Sequence, residues 1–183
     1  MLSNQGLPVV DADVLAREAV APDSPGLTRV RERFGPGVLR EDGGLDRGAL
    51  GRVVFSDPRA RADLEAIVHP EVERLSRQAM DRLAADGAKV AIYDVPLLFE
   101  KGREHEFDHI VVVHAPDHQR RARLKDRDQL DDAAIDARLA AQDDLDEKAH
   151  RARSLGGTVI DNSGSLADTE AQVCSLVAEW RSV

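Results

Sequence analysis

The sequence predicts an α/β protein built on a doubly wound parallel sheet, and three observations carry that expectation. Four short, β-rich apolar runs are spread along the 183 residues: "LPVVD" (7–11), "AKVAIYDV" (88–95), "HIVVVHA" (109–115) and "GTVIDN" (157–162). Such runs suit parallel strands covered on both faces. Helical patterns separate the runs, and alternation of strands with helices implies a parallel sheet. Length and a hydrophobic content of 42% allow one core with insertions rather than several domains. Only 3% of residues are aromatic, so Ala, Val and Leu must fill that core.

The first run leads straight into Asp11 and Asp13, with Arg17 in the amphipathic stretch behind them. Residues two apart on a strand share a face, so both carboxylates are expected at the strand's C-terminal end, where open α/β sheets bind ligands. Asp13 alone has two readings, a helix N-cap or a working carboxylate.

Residues 13 to 87 then form a long helical excursion. "SPGLTRVRERFG" reads as a helix entered through Pro25 and stopped at Gly35. "LDRGALGRVVF" follows the turn "EDGG", and "SDPRARADLEAIV" starts with Ser56 as its expected N-cap. "HPEVERLSRQAMDRLAADG" is expected to open a further helix at Pro70 and close at Gly87, with Val72, Leu75, Ala79 and Leu83 on one face. A second polar helical insertion, 117 to 153, opens with "RRARLKDR", five cations against one acid. "SLADTEAQVCSLVAEW" closes the chain as an amphipathic helix, with Cys174 expected in its core. The division is therefore 1–14, 88–116 and 154–183 as core, 15–87 as a substrate-side insert, and 117–153 as a lid.

Several classes are disfavoured. A formal charge of −9 argues against non-specific nucleic-acid binding, which needs a basic footprint. One cysteine excludes an intramolecular disulfide framework and points to a cytoplasmic location. No apolar run approaches a membrane span, and "MLSNQGLPVV" lacks the pattern of a signal peptide.

Five stretches together carry a specific resemblance: "PVVDADVLAREAV", "IVHPEV", "YDVPLLFE", "RDQLDDAAIDARLAAQ" and "EKAHRARSLGGTVIDNSGSL". Their order and spacing over essentially the whole chain resemble the dephospho-CoA kinases. The resemblance implies the P-loop NTPase fold, with ATP and dephospho-CoA as substrates and Mg²⁺ alongside ATP. It implies transfer of the γ-phosphoryl group to the ribose 3′-hydroxyl, the last step of coenzyme A synthesis. A monomer or small homo-oligomer is expected, with neither nucleic acid nor membrane as partner.

Phosphoryl transfer needs positioning, charge compensation and a carboxylate to orient the attacking hydroxyl. By the resemblance Asp13 is the base, with Arg17, His69 and Glu100 on the substrate side. Read from the residues, His69 before Pro70 is a capping or packing residue or a substrate contact, and Glu100 contacts the substrate or the arginines. Asp11 is a strand-end hydrogen-bond acceptor or a group on the metal's water shell, and Asp94, which ends a core strand, is expected near that water shell rather than on the metal. Arg120, Arg123 and Arg127 share one helical face. Arg123, Arg127, Arg138, Gln142 and Asn162 are assigned to ATP and the lid, and Arg120 and Arg121 to the surface. Arginine suits phosphate because its planar fork stays charged and binds two oxygens. Asn162 either lines an adenine pocket or shapes the turn "DNSG".

The family pattern also places a strand and a Gly-rich loop ahead of the first acidic motif, in the middle of the sheet. Here "MLSNQG" precedes that motif, and no Gly-x-x-x-x-Gly-Lys-Ser/Thr occurs in the sequence. The expectation is an N-terminally incomplete kinase, inactive as it stands. A non-catalytic relative acting as a binding or partner protein is the alternative, and another small-metabolite P-loop kinase is a weaker one.

Overall fold

The computed structural model describes residues 1–128, 131–140 and 144–182. The chain divides into two compact units, Leu7–Val95 and Met1–Gly6 with Pro96–Val183. The four predicted strands are all present, each shorter than its apolar run, and they pair as two parallel sheets of two strands.

In the unit spanning Leu7–Val95, β1 (Val9–Asp11) pairs with β2 (Ile92–Asp94), so that Asp11 lies opposite Asp94. α1 (Ala12–Glu18) follows β1 without a loop. α2 (Pro25–Phe34) has Ser24 as its N-cap and Pro25 in its first turn, and it stops at Gly35, whose φ of 80° suits glycine. A Cβ on Gly26 would lie 2.0 Å from the Ala19 carbonyl oxygen, so glycine lets α2 start hard against the end of α1.

α3 (Arg47–Ser56) and α4 (Pro58–Ala85) complete the excursion. Two expectations change here. Ser56 does not cap α4; its hydroxyl donates to the Arg52 and Val53 carbonyls, and Asp57 takes the cap by accepting from the Arg59 amide. No new helix opens at Pro70, because α4 runs through it. An internal proline costs roughly 3 kcal/mol, but His69 offers no strong cap and α4 is held by packing on either side of the proline. Leu64, Ile67 and Val68 pack on the buried Val20, Leu27, Val30, Val38, Leu45 and Leu50. Just beyond Pro70, Glu71 is buried between Arg29 of α2 and Arg74, the latter at 3.0 Å. The predicted face of Val72, Leu75, Ala79 and Leu83 is half-buried, as its spacing requires.

In the other unit β3 (Val111–His114) pairs with β4 (Thr158–Asp161) in the register Val111↔Thr158 to His114↔Asp161. α5 (Asp117–Asp128), α6 (Asp132–Ala140) and α7 (Leu145–Ser154) lie between these strands in sequence. A core of Phe99, Ile110, Val112, Ala149 and Ala152 seats α7 on the sheet. α8 (Leu166–Arg181) begins with a capping box between Ser165 and Asp168. It packs through Val173, Leu176 and Val177. Cys174 is exposed rather than in the core, because its position faces away from that stripe, and its sulfur accepts from Gln5 Nε2 at 3.3 Å. Among the described residues no helix is long and apolar enough to cross a membrane.

Candidate functional site

The acidic site grows from the β1–α1 junction. The strand ends at Asp11 and the helix begins at Ala12, so Asp13 stands in the first helical turn and not on the strand. Asp11 is the N-cap: its Oδ1 accepts from the Asp13 amide at 2.8 Å and the Val14 amide at 3.1 Å. The capping reading of Asp13 is therefore replaced, for a geometric reason. A cap accepts from amides two and three positions on, and only Asp11 stands at that offset from the first free N–H groups.

Asp94 lies across the sheet from Asp11. Burial is the first cause holding its carboxyl above the ordinary carboxylate value, and the charges of Asp11 and then Asp13 add to it. The side chain is still partly exposed, so the site is open to solvent and to a ligand. Three carboxylates thus share one strand-end site, a concentration of negative charge that favours a cation or a proton there. Arg17, in the last turn of α1 and one turn beyond Asp13, is exposed. His69 is exposed in the middle of α4, where it caps nothing.

The basic site belongs to the other unit. Arg120, Arg123, Leu124, Asp126, Arg127, Arg138 and Leu139 line a cleft of about 720 Å³ between α5 and α6. The structure therefore brings Arg127 and Arg138 to one cleft, from different helices. Arg121 spans the helices to Asp136 at 2.6 Å, and Arg120 pairs with Asp117 at 2.9 Å. Arg123 donates to the Asn162 carbonyl at 2.8 Å, tying α5 to the end of β4. The Asn162 side-chain oxygen accepts from the Thr169 hydroxyl at 3.1 Å, and the Asn162 backbone N–H donates to the His114 carbonyl at 2.7 Å. Gln142 lies outside the described residues.

Glu100 meets a partner that sequence reasoning missed. Lys148 of α7 places Nζ 2.5 Å from Glu100 Oε1, with only 7% of the lysine side chain and 15% of the glutamate exposed. The same ammonium reaches the Pro96 carbonyl at 3.4 Å. One turn on, Arg151 pairs with Glu104 and stacks over Phe99, 5.1 Å from the ring centre. The available signal was the spacing of Lys148 and Arg151, three apart on a helix, against Glu100 and Glu104, four apart in the stretch after β2.

Comparison with known proteins gives one consistent result. The family model for dephospho-CoA kinase matches residues 1–168. A dephospho-CoA kinase of Anaeromyxobacter dehalogenans is 49% identical over 181 residues, covering 99% of this chain and 84% of that protein. One from Bacillus licheniformis is 43% identical over 183 residues, 100% of this chain and 89% of its own length. A crystal structure from Thermus thermophilus superposes with a TM-score of 0.80 at 38% identity, covering 97% of this chain and 87% of that one. The dephospho-CoA kinase of Campylobacter jejuni gives 0.70 at 26% identity, covering 97% and 86%. With a family match across most of its length and relatives covered over 84–89% of their own length, the chain belongs to the dephospho-CoA kinase family, kinases of coenzyme A biosynthesis with the P-loop NTPase fold.

Proposed function

We propose that the protein transfers the γ-phosphoryl group of ATP to the ribose 3′-hydroxyl of dephospho-CoA, with Asp13 as the base. The observation that carries this reading is the division of labour at the β1–α1 junction. Asp11 caps the helix. The Asp13 carboxylate has no hydrogen-bond or ion-pair partner among the described residues, so it is available to an incoming hydroxyl. In the reaction a bond forms between the ribose 3′-oxygen and the γ-phosphorus, and the bond from that phosphorus to the β,γ-bridging oxygen breaks. ADP leaves, and the hydroxyl proton passes to Asp13.

Arg17 is placed to take a substrate phosphate one helical turn from the base. His69 contributes a substrate contact on α4. Glu100, held by Lys148, fixes the stretch after β2 rather than binding substrate itself. Arg123, Arg127 and Arg138 present guanidinium groups to the phosphates of ATP, where charge redistributes during transfer. Asn162 and Gln142 belong to the nucleotide side.

Magnesium fits this site through its water shell. Among the described residues no cluster of three His, Cys, Asp or Glu side chains is arranged to hold a metal directly. The crowding that raises Asp94 is the kind that a hydrated dication relieves. Asp11 and Asp94 would accept from the ion's waters. The ion would neutralise phosphate charge.

The test is ADP release and product detection with dephospho-CoA, nucleoside monophosphates and no acceptor. The sequence holds no Gly-x-x-x-x-Gly-Lys-Ser/Thr stretch. The assay therefore runs on the 183 residues and on the same chain preceded by a strand and such a loop. Phosphorylation of dephospho-CoA alone, by either form, supports the reading. Turnover of a nucleoside monophosphate instead, or of nothing by both forms, refutes it.

A further inference from the structure

Arg121 reads from the sequence as a surface residue, yet it belongs to an ordered pattern across the α5–α6 hairpin. Its guanidinium meets Asp136 of α6 at 2.6 Å, and Lys125 meets Asp132 at 3.1 Å. Four residues forward on α5 are matched by four residues back on α6, so the two pairs share one antiparallel register. Positions four apart lie on one side of a helix, so the pairs line one rim of the hairpin. The cleft arginines lie on the other rim. At 3.6 residues per turn, Arg120, Arg123 and Arg127 centre roughly 150° around α5 from Arg121 and Lys125. Arg138 stands about 140° around α6 from Asp132 and Asp136 by the same count. Leu124, Ile135 and Leu139 fall between the two rims as a short apolar seam. No described side chain of α5 is buried, and in α6 only Ile135 is. The hairpin therefore has little core of its own.

Apolar contact is non-directional, so a seam this small fixes neither the slide nor the roll of one helix on the other. A slide of one turn is about 5.4 Å, longer than a hydrogen bond at about 3 Å. Such a slide would carry Arg138 away from the phosphate oxygens it shares with Arg127. Ion pairs across a helix seam set register and orientation, even where exposure leaves them contributing little stability. We propose that Arg121–Asp136 and Lys125–Asp132 pin the register of the α5–α6 hairpin, which makes these four the positioning residues for the arginines of the cleft. The pins stand on the rim away from the cleft, so their carboxylates hold the arginines at a fixed spacing without repelling the phosphates. The proposal rests on the cleft being a phosphate site, and it assigns the preorganisation of that site to the opposite rim.

The experiment makes two measurements on the 183-residue chain. Calorimetric titration with inorganic tripolyphosphate reads the cleft. Distances between spin labels at Ala122→Cys and Ala137→Cys, in a Cys174→Ser background, read the register; both positions are exposed and outside the cleft lining. Asp136→Arg is the deciding variant, because two ideas predict opposite signs for it. It adds positive charge to the hairpin, so simple attraction would tighten tripolyphosphate binding. A broken pin instead weakens binding roughly threefold, the scale of one exposed pair, and broadens the label distances. The reciprocal swap, Arg121→Asp with Asp136→Arg, keeps the wild-type net charge and should recover both readings. Melting temperatures should stay within about 3 °C of wild type, since exposed pairs contribute little to stability. Unchanged label distances in Asp136→Arg would overturn the proposal whichever way binding moves, and so would a swap that restores neither reading. Failure of wild type to bind tripolyphosphate would instead remove the phosphate reading of the cleft, and the positioning role with it.

Discussion

Replacing Asp94 with asparagine should make the protein more stable while damaging its site. Asp94 and Asp11 are direct partners across parallel strands, and neighbouring strands lie about 4.8 Å apart. Two unit charges about 5 Å apart repel by about 0.8 kcal/mol in water and about 3 kcal/mol at an effective dielectric of 20. Asp94 is partly exposed, so solvent screening favours the lower end, about 1 kcal/mol. For a chain of this size that is a rise of about 2–4 °C in melting temperature. The pH dependence has a definite sign. The native carboxyl is raised above the ordinary 3.8 by burial and by the charges of Asp11 and Asp13. Below the unfolded value both states are protonated and the penalty is absent. It grows as pH climbs toward the native value and is complete above it. Urea melts of wild type and Asp94→Asn from about pH 4 to 8 should therefore start close together and separate, with the variant more stable at neutral pH. A variant no more stable than wild type at pH 7, or a gap that ignores pH, would show that the three carboxylates do not repel in the folded state.

Further substitutions probe the proposed roles. Asp13→Asn should keep its melting temperature and lower kcat by roughly 10² to 10⁴, about 3–5 kcal/mol of barrier; activity within threefold of wild type removes Asp13 from the mechanism. Arg127→Ala or Arg138→Ala should reduce turnover more than dephospho-CoA binding, since their work is on phosphate charge in transfer. A change confined to KM for dephospho-CoA reassigns them to the acceptor. Lys148→Ala should cost about 3 kcal/mol by stranding the enclosed Glu100 carboxylate, and adding Glu100→Ala should recover part of the loss. A single variant as stable as wild type would show that water replaces the lysine.

The sequence made the strands legible because each is a short apolar run bounded by polar or turn residues. Their pairing was less so, since two sheets of two strands and one sheet of four draw on the same runs. Local punctuation misled twice in the excursion. Ser56 and Pro70 look like helix starts in isolation, yet Asp57 is the better-placed cap and packing on both sides carries α4 through the proline. Cys174 was assigned to the wrong side of its helix, an error of one position in a stripe that Val173, Leu176 and Val177 define. Lys148 escaped notice because a lysine in a polar helix reads as solvated. Its burial depends on Glu100, 48 residues earlier, folding back against α7.

The two aspartates of the opening motif show how narrow the line is between architecture and chemistry. Both stand at a strand end and both are competent helix caps by residue type. Which one caps is settled by where the helix starts. With Ala12 as the first helical residue, Asp11 satisfies the second and third amides, and Asp13 occupies the second position with its carboxylate uncommitted. The helix end still favours negative charge there, and one turn further on the same helix presents Arg17. Had α1 begun two residues later, Asp13 would be the cap, and its oxygens would be spent on backbone amides. The strand length therefore decides which of the two carboxylates is spent on the cap. β1 stops at Asp11, the last residue that can pair with Asp94 in the ladder, and the chain turns helical at once. Pairing, cap and free carboxylate are consequences of that single boundary.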